Sequence, residues 1–145
     1  EPIRTELDDL MTWAATVPAP SPAELLTQLT DLLSRHAPLL SSVFNDPSAI
    51  HRGQLKRARD QFQIFGAALA GSSAPSQMLR ARCAIGAVRG GVLGALATDP
   101  RFAEPPAGER AVRLLNREEE LLDAAQRREV VEAALRALGP VPVTR

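Results

Sequence analysis

Apolar residues in this chain recur at spacings of three and four, which is the period of an α-helix with one buried face. No convincing stretch alternates as a half-buried β-strand does, so the sequence predicts an all-α fold. Prolines and glycines divide the chain into separate helices. The predicted helices run from about Ile3 to Ala15, Ser21 to His36, Leu39 to Phe44, Asp46 to Ala70, Pro75 to Thr98, Glu109 to Glu120 and Asp123 to Leu138.

Two of these helix starts carry a capping box, in which a capping side chain and a residue three positions later bond each other's backbone N–H groups. Ser21 pairs in this way with Glu24, and Asp123 pairs with Gln126. At the other end of the last helix, Gly139 and Pro140 stop it. Pro38 interrupts the second apolar stripe, so we predict that a separate short helix follows it.

Length and composition restrict the class of protein. The 145 residues fit a single domain, 1–145, that is long enough to bury a core. Seventeen basic residues balance seventeen acidic ones, which makes binding of nucleic acid or an anionic membrane by this chain alone improbable. The chain begins at Glu1 in sequence already helical in character, and we expect that an upstream part is missing.

The cysteine and histidine content argues against a metal site or a cofactor. One cysteine, Cys83, excludes an internal disulfide and a cysteine cluster. His36 and His51 fall on different predicted helices, away from ligand spacing, and each is expected to be a capping or surface residue. No signal peptide or apolar run of membrane length occurs, so we expect a cytoplasmic protein without membrane contact.

The segment "CAIGAVRGGVLGAL" (83–96) is the most unusual stretch, because four glycines interrupt a helix. It lacks the spacing of a dinucleotide fingerprint and the Gly-Lys-Ser/Thr ending of a phosphate loop. Its apolar run of 14 residues contains Arg89 and is shorter than the about 20 residues that span a bilayer. The remaining interpretation is that this segment packs closely against another helix in an aqueous environment.

Each interior glycine costs about 0.5–1 kcal/mol relative to alanine, so contact across these positions must offset that cost. The helix is apolar nearly all round, which is typical of a helix that is covered on more than one face. We favour a second copy of the chain as the partner that packs on the additional face. The alternative is that this helix lies at the centre of a monomer and is surrounded by the chain's other helices.

The chain also resembles the C-terminal ligand-binding and dimerisation domain of TetR-type bacterial transcriptional repressors. The stretches that carry the resemblance are "LTDLLSRHAPLLSSVFNDP" (29–47), "AIGAVRGGVLGALATDPRF" (84–102) and "RREVVEAALRAL" (127–138), together with the order of the helices. The resemblance implies a homodimer in which the last two long helices of each subunit form a four-helix bundle. The interface residues would be Gly86, Gly90, Leu93, Gly94, Val131, Ala134, Leu135 and Leu138.

The same resemblance implies that the other helices enclose a small apolar effector, and that operator DNA is bound only through a missing N-terminal helix-turn-helix. The first helix, about Ile3 to Ala15, would connect the effector site to that DNA-binding helix-turn-helix. Candidate effector residues are Trp13, Phe44, His51, Phe62, Phe65 and Arg89, with Gln61 as an additional polar group. Core packing is the more ordinary role for each phenylalanine. Arg89 either reaches a carboxylate of the ligand or of the partner, such as Glu129 or Glu132, or lies along the interface with its head in solvent.

No arrangement of nucleophile, base and acid typical of catalysis occurs, so we expect no catalytic residues and no enzymatic activity. The alternative function is a helical interaction module that binds a partner helix without a small ligand. A weaker third hypothesis is a helical enzyme that uses Arg89 and His51. The run Glu118-Glu119-Glu120 is expected to form a solvated helix face.

Overall fold

The computed structural model describes residues 2–16, 20–45, 52–72, 74–98 and 122–140. Every regular element in these ranges is a helix, which confirms the all-α prediction. The five helices, here named α1 to α5, are Pro2–Ala14, Pro22–Asn45, Arg52–Ala70, Pro75–Thr98 and Ala124–Leu138. The predicted loop at 99–108, the helix at 109–120 and the predicted helix start at Asp46 lie outside the described residues.

Both predicted capping boxes are confirmed. The Ser21 N–H donates to Glu24 Oε2 and the Glu24 N–H donates to Ser21 Oγ, each at 3.2 Å. The Asp123 N–H donates to Gln126 Oε1 at 3.0 Å, and the Gln126 N–H donates to Asp123 Oδ1 at 2.8 Å. These bonds satisfy donors that a helix start otherwise leaves without a partner, and they fix where α2 and α5 begin.

The predicted break at Pro38 is wrong, because α2 continues through it to Asn45. A proline inside a helix removes only one backbone hydrogen bond, the one that its N–H would donate to the carbonyl four residues earlier, here Ser34. A helix can bend at such a position and continue if the turns on both sides keep their own bonds. The predicted helices from Ser21 to His36 and from Leu39 to Phe44 are therefore one element.

Three helices supply the centre of the core. α4 packs against α2, α3 and α5, and α2 also packs against α5. The most completely buried side chains of these three helices are Leu25, Leu26, Thr30, Ala81, Ala84, Val88, Val92, Ala134 and Leu138, and Leu69 and Ala70 of α3 are buried to the same extent. Residues three and four apart lie on one helix face, so each helix presents such a row to the core.

α1 and α3 complete the core from one side. α1 packs against both α2 and α3 and contributes the buried residues Leu10 and Ala14, while α3 contributes Phe65, Leu69 and Ala70. On the opposite side, Arg127 of α5 bonds the Leu122 carbonyl at 2.8 Å and lies 3.4 Å from Asp31 of α2. The start of α5 is thereby attached to α2. No helix in the described ranges is long and apolar enough to cross a membrane.

Candidate functional site

The two sides of α4 have different surroundings. Val88 and Val92 are fully buried, and Ala81, Ala84 and Ile85 join them on the side that faces the core. The opposite side carries Leu79, Cys83, Gly86, Gly90, Leu93 and Gly94, which we call the glycine face. Leu79 is 55% exposed, and Cys83, Gly86 and Gly90 are also exposed.

One of the four glycines in this segment has a packing role inside the chain. A Cβ atom added at Gly91 would lie 2.9 Å from Cγ2 of Val130 on α5. Such a distance is shorter than any van der Waals contact between carbon atoms, so alanine at this position would force the Val130 side chain or α5 itself to shift. Gly91 therefore allows the close approach of α4 and α5.

The other three glycines have room for a side chain. Among the described residues, a Cβ at Gly86, Gly90 or Gly94 would meet no atom within 4 Å. At 3.6 residues per turn, Gly91 lies about 100° around the helix from Gly90, which accounts for the difference between the two neighbours. The helix-propensity cost of these three glycines is therefore not offset by close packing among the described residues.

The other predicted interface residues lie in two environments. Leu93 and Gly94 on α4 and Val131 and Leu135 on α5 are half-buried. Ala134 and Leu138 are 0% and 2% exposed and belong to the core of the chain itself. A partner contact at these six positions stays a prediction. Four of them keep some exposed surface. The two buried residues, Ala134 and Leu138, pack α5 against the core.

The predicted effector residues that the structure describes lie on three helices. Trp13 of α1 and Phe62 of α3 are half-buried against the core, and Phe65 is 2% exposed within it. Arg89 is exposed on α4, one residue from Gly90 and at the edge of the glycine face. The side chain of Phe44 and the whole of His51 lie outside the described residues, and effector binding at any of these positions stays a prediction.

Polar contacts that the sequence did not indicate join α1 to its neighbours. The side chain of His36 on α2 is only 11% exposed and contacts Oε2 of Glu6, and Arg35 Nη2 lies 3.5 Å from the same oxygen. Gln61 Nε2 of α3 donates to Asp8 Oδ1 at 2.9 Å. His36 is thus a buried residue that bridges two helices, not the capping or surface residue that its sequence context suggested.

No protein-family model, curated protein or solved structure matches this chain. Among the described residues, no three His, Cys, Asp or Glu side chains are grouped so that they could hold a metal ion. The assignment of function therefore rests on the chain's own residues, and above all on the uncovered side of α4.

The two adjacent glycines give opposite predictions for stability. Gly90→Ala should raise the free energy of unfolding of the monomer by about 0.5–1 kcal/mol, because the new methyl group meets no atom and alanine favours the helix. Gly91→Ala should lower it, because overpacking against Val130 costs about 1–3 kcal/mol. Urea unfolding at a protein concentration low enough to give monomers measures both changes. Equal effects of the two variants would contradict this description of α4.

Proposed function

We propose that this chain is the ligand-sensing and dimerising domain of a TetR-type transcriptional regulator. In this proposal two copies associate through α4 and α5, and a small apolar effector binds among the other helices. Operator DNA is contacted only by a helix-turn-helix that would precede Glu1. The proposal takes its family from the sequence resemblance, and the all-helical fold is compatible with it.

The observation that supports dimerisation best is the uncovered glycine face of α4. Gly86, Gly90 and Gly94 have no Cβ atom, so a partner helix could approach the α4 backbone closely there. It would gain dispersion contacts with that backbone. Helix axes pack about 8–10 Å apart, and small residues at the contact favour the short end of that range. Such contacts would offset the cost of three glycines that pack against nothing in the described part of the chain.

The size of the glycine face indicates that a stable dimer needs more than α4. Leu79 and Gly94 are 15 positions apart, which corresponds to about 22 Å of helix. A strip of that length and about 10 Å wide covers roughly a quarter of the ~800 Å² that each partner buries in a standard interface. The neighbouring α5 supplies the additional surface in the proposed four-helix bundle, through Val131 and Leu135.

The proposed effector site uses the aromatic residues of α1 and α3. Trp13 and Phe62 are half-buried beside a core of leucine and alanine, and the Gln61 amide lies next to Phe62 in sequence. Sites for small apolar molecules combine such surfaces with a few polar groups that orient the ligand. An effector controls a regulator only if it binds one conformational state more tightly than the other.

The exposed glycine face also favours a second candidate, a helical interaction module that binds a helix of another protein and no small ligand. In that case the partner helix would occupy the face that the second copy occupies in the first proposal. The oligomeric state of the pure chain and its response to apolar ligands distinguish the two candidates.

The dimer proposal predicts a specific effect of bulk on the glycine face. Gly90→Leu should convert the dimer to a monomer, because the leucine side chain would occupy the space of the partner helix. Light scattering should then report a mass of 15.6 kDa in place of twice that value. Ala67→Leu is the matched control, since Ala67 is a small exposed residue of another helix, α3, and it should leave the dimer intact. A Gly90→Leu protein that remains dimeric, or a monomeric unsubstituted chain, would contradict the proposal.

The effector proposal predicts that some members of a panel of apolar metabolites and drugs raise the melting temperature of the chain. Ligand at 100 times its Kd adds about 2.7 kcal/mol to the stability of the folded state. Phe62→Ala should reduce that shift. Ile64→Ala should not, because Ile64 is 45% exposed on the same helix.

Two outcomes would contradict the regulator proposal. If no apolar compound stabilises the chain, the interaction module becomes the better candidate. If the coding sequence before Glu1 encodes no basic helix-turn-helix of roughly fifty residues, the chain has no route to operator DNA and the regulator proposal fails.

A further inference from the structure

The contact between His36 and Glu6 is a partly buried polar contact that holds α1 to α2. The carboxylate of Glu6 is 30% exposed and lies against His36 of α2, whose side chain is 11% exposed. Arg35 reaches the same oxygen from a more exposed position, with 40% of its side chain accessible and a separation of 3.5 Å. Because removing one partner of a poorly solvated polar pair costs more than removing one of an exposed pair, His36 matters more here than Arg35.

The second contact holds α1 to a different helix. Asp8 lies two positions after Glu6 on α1, and its Oδ1 atom accepts a hydrogen bond from Gln61 of α3 at 2.9 Å. Glu6 and Asp8 flank Leu7, which is half-buried against the core. The two pairs therefore fasten the first half of α1 to α2 and α3 at the same time. We call Glu6, His36, Asp8 and Gln61 the α1 latch.

The packing of the rest of the molecule allows α1 to separate without opening the centre of the core. α1 packs mainly against α2 and α3, whereas the fully buried side chains of Leu26, Val88 and Ala134 connect α2, α4 and α5. Local openings in proteins involve elements that share the fewest buried contacts with the remainder of the fold. α1 is such an element, since among its described side chains only Leu10 and Ala14 are buried.

We infer that α1 is a separately opening helix that the latch holds closed. Opening of α1 would uncover the core surface against which Leu7, Leu10 and Met11 pack. The separate opening of α1 stands on the contacts alone. Its role in admitting an effector rests on the proposed function.

His36→Ala tests the latch in the chain as it exists. Backbone amides of α1 should exchange with solvent about tenfold faster or more, while amides of α4 and α5 keep their rates. Trp13 is the only tryptophan in the chain and lies on α1, so its quenching by acrylamide should rise in parallel. His36→Gln should restore part of the protection, since glutamine can still donate a hydrogen bond to Glu6.

Arg35→Ala is the matched control, because it removes the exposed partner of the same carboxylate and should leave α1 exchange nearly unchanged. Gln61→Ala tests the second pair by the same measurements and replaces His36→Ala if that variant does not fold. Unchanged α1 exchange in the latch variants would overturn the inference, and so would equal acceleration in α1, α4 and α5. None of these measurements involves a ligand, so failure of the latch and failure of effector binding can be told apart.

Discussion

The structure depends on the burial of one side of α4 between α2 and α5. Val88 and Val92 are completely removed from solvent, and Gly91 lets Val130 of α5 approach the α4 backbone closely. Burial of a valine side chain stabilises the fold by roughly 1.5–3 kcal/mol, so these contacts fix the position of α4 in the bundle. Gly86 and Gly90 lie on the other side of α4 and are exposed. The proposed association with a second copy would use that exposed side.

Around this centre, the fold combines apolar and polar attachment. α5 is held both by apolar contacts and by Arg127, which bonds the Leu122 carbonyl and lies close to Asp31 of α2. α1 is attached by an apolar stripe and by polar contacts of Glu6 and Asp8 near its start. This arrangement separates a firmly packed group, α2, α4 and α5, which is proposed to carry the dimer interface, from a side of the molecule that is proposed to carry the effector site. Such a division allows movement on one side while the other stays packed.

The features that local spacing controls could be predicted from the sequence. The capping boxes at Ser21 and Asp123 depend on a partner three residues away, and both formed. The prediction at Pro38 was wrong because it considered only the hydrogen bond that proline removes. It did not consider that the helical turns before and after Pro38 keep their own hydrogen bonds. The different surroundings of Gly90 and Gly91 depend on where α5 lies, and the contact of Glu6 with His36 joins residues 30 positions apart. Neither leaves a periodic signal in the sequence.

The central claim is that the glycine face is the surface on which a second copy packs, and the reactivity of Cys83 tests it most directly. Cys83 is the only cysteine, and in the single chain it is exposed on that face. Its reaction rate with 5,5′-dithiobis(2-nitrobenzoate) can be measured over a range of protein concentrations, with the mass followed by light scattering. The claim predicts that the rate per thiol falls in step with the formation of dimer. A dimer in which Cys83 reacts as fast as in the monomer would contradict it.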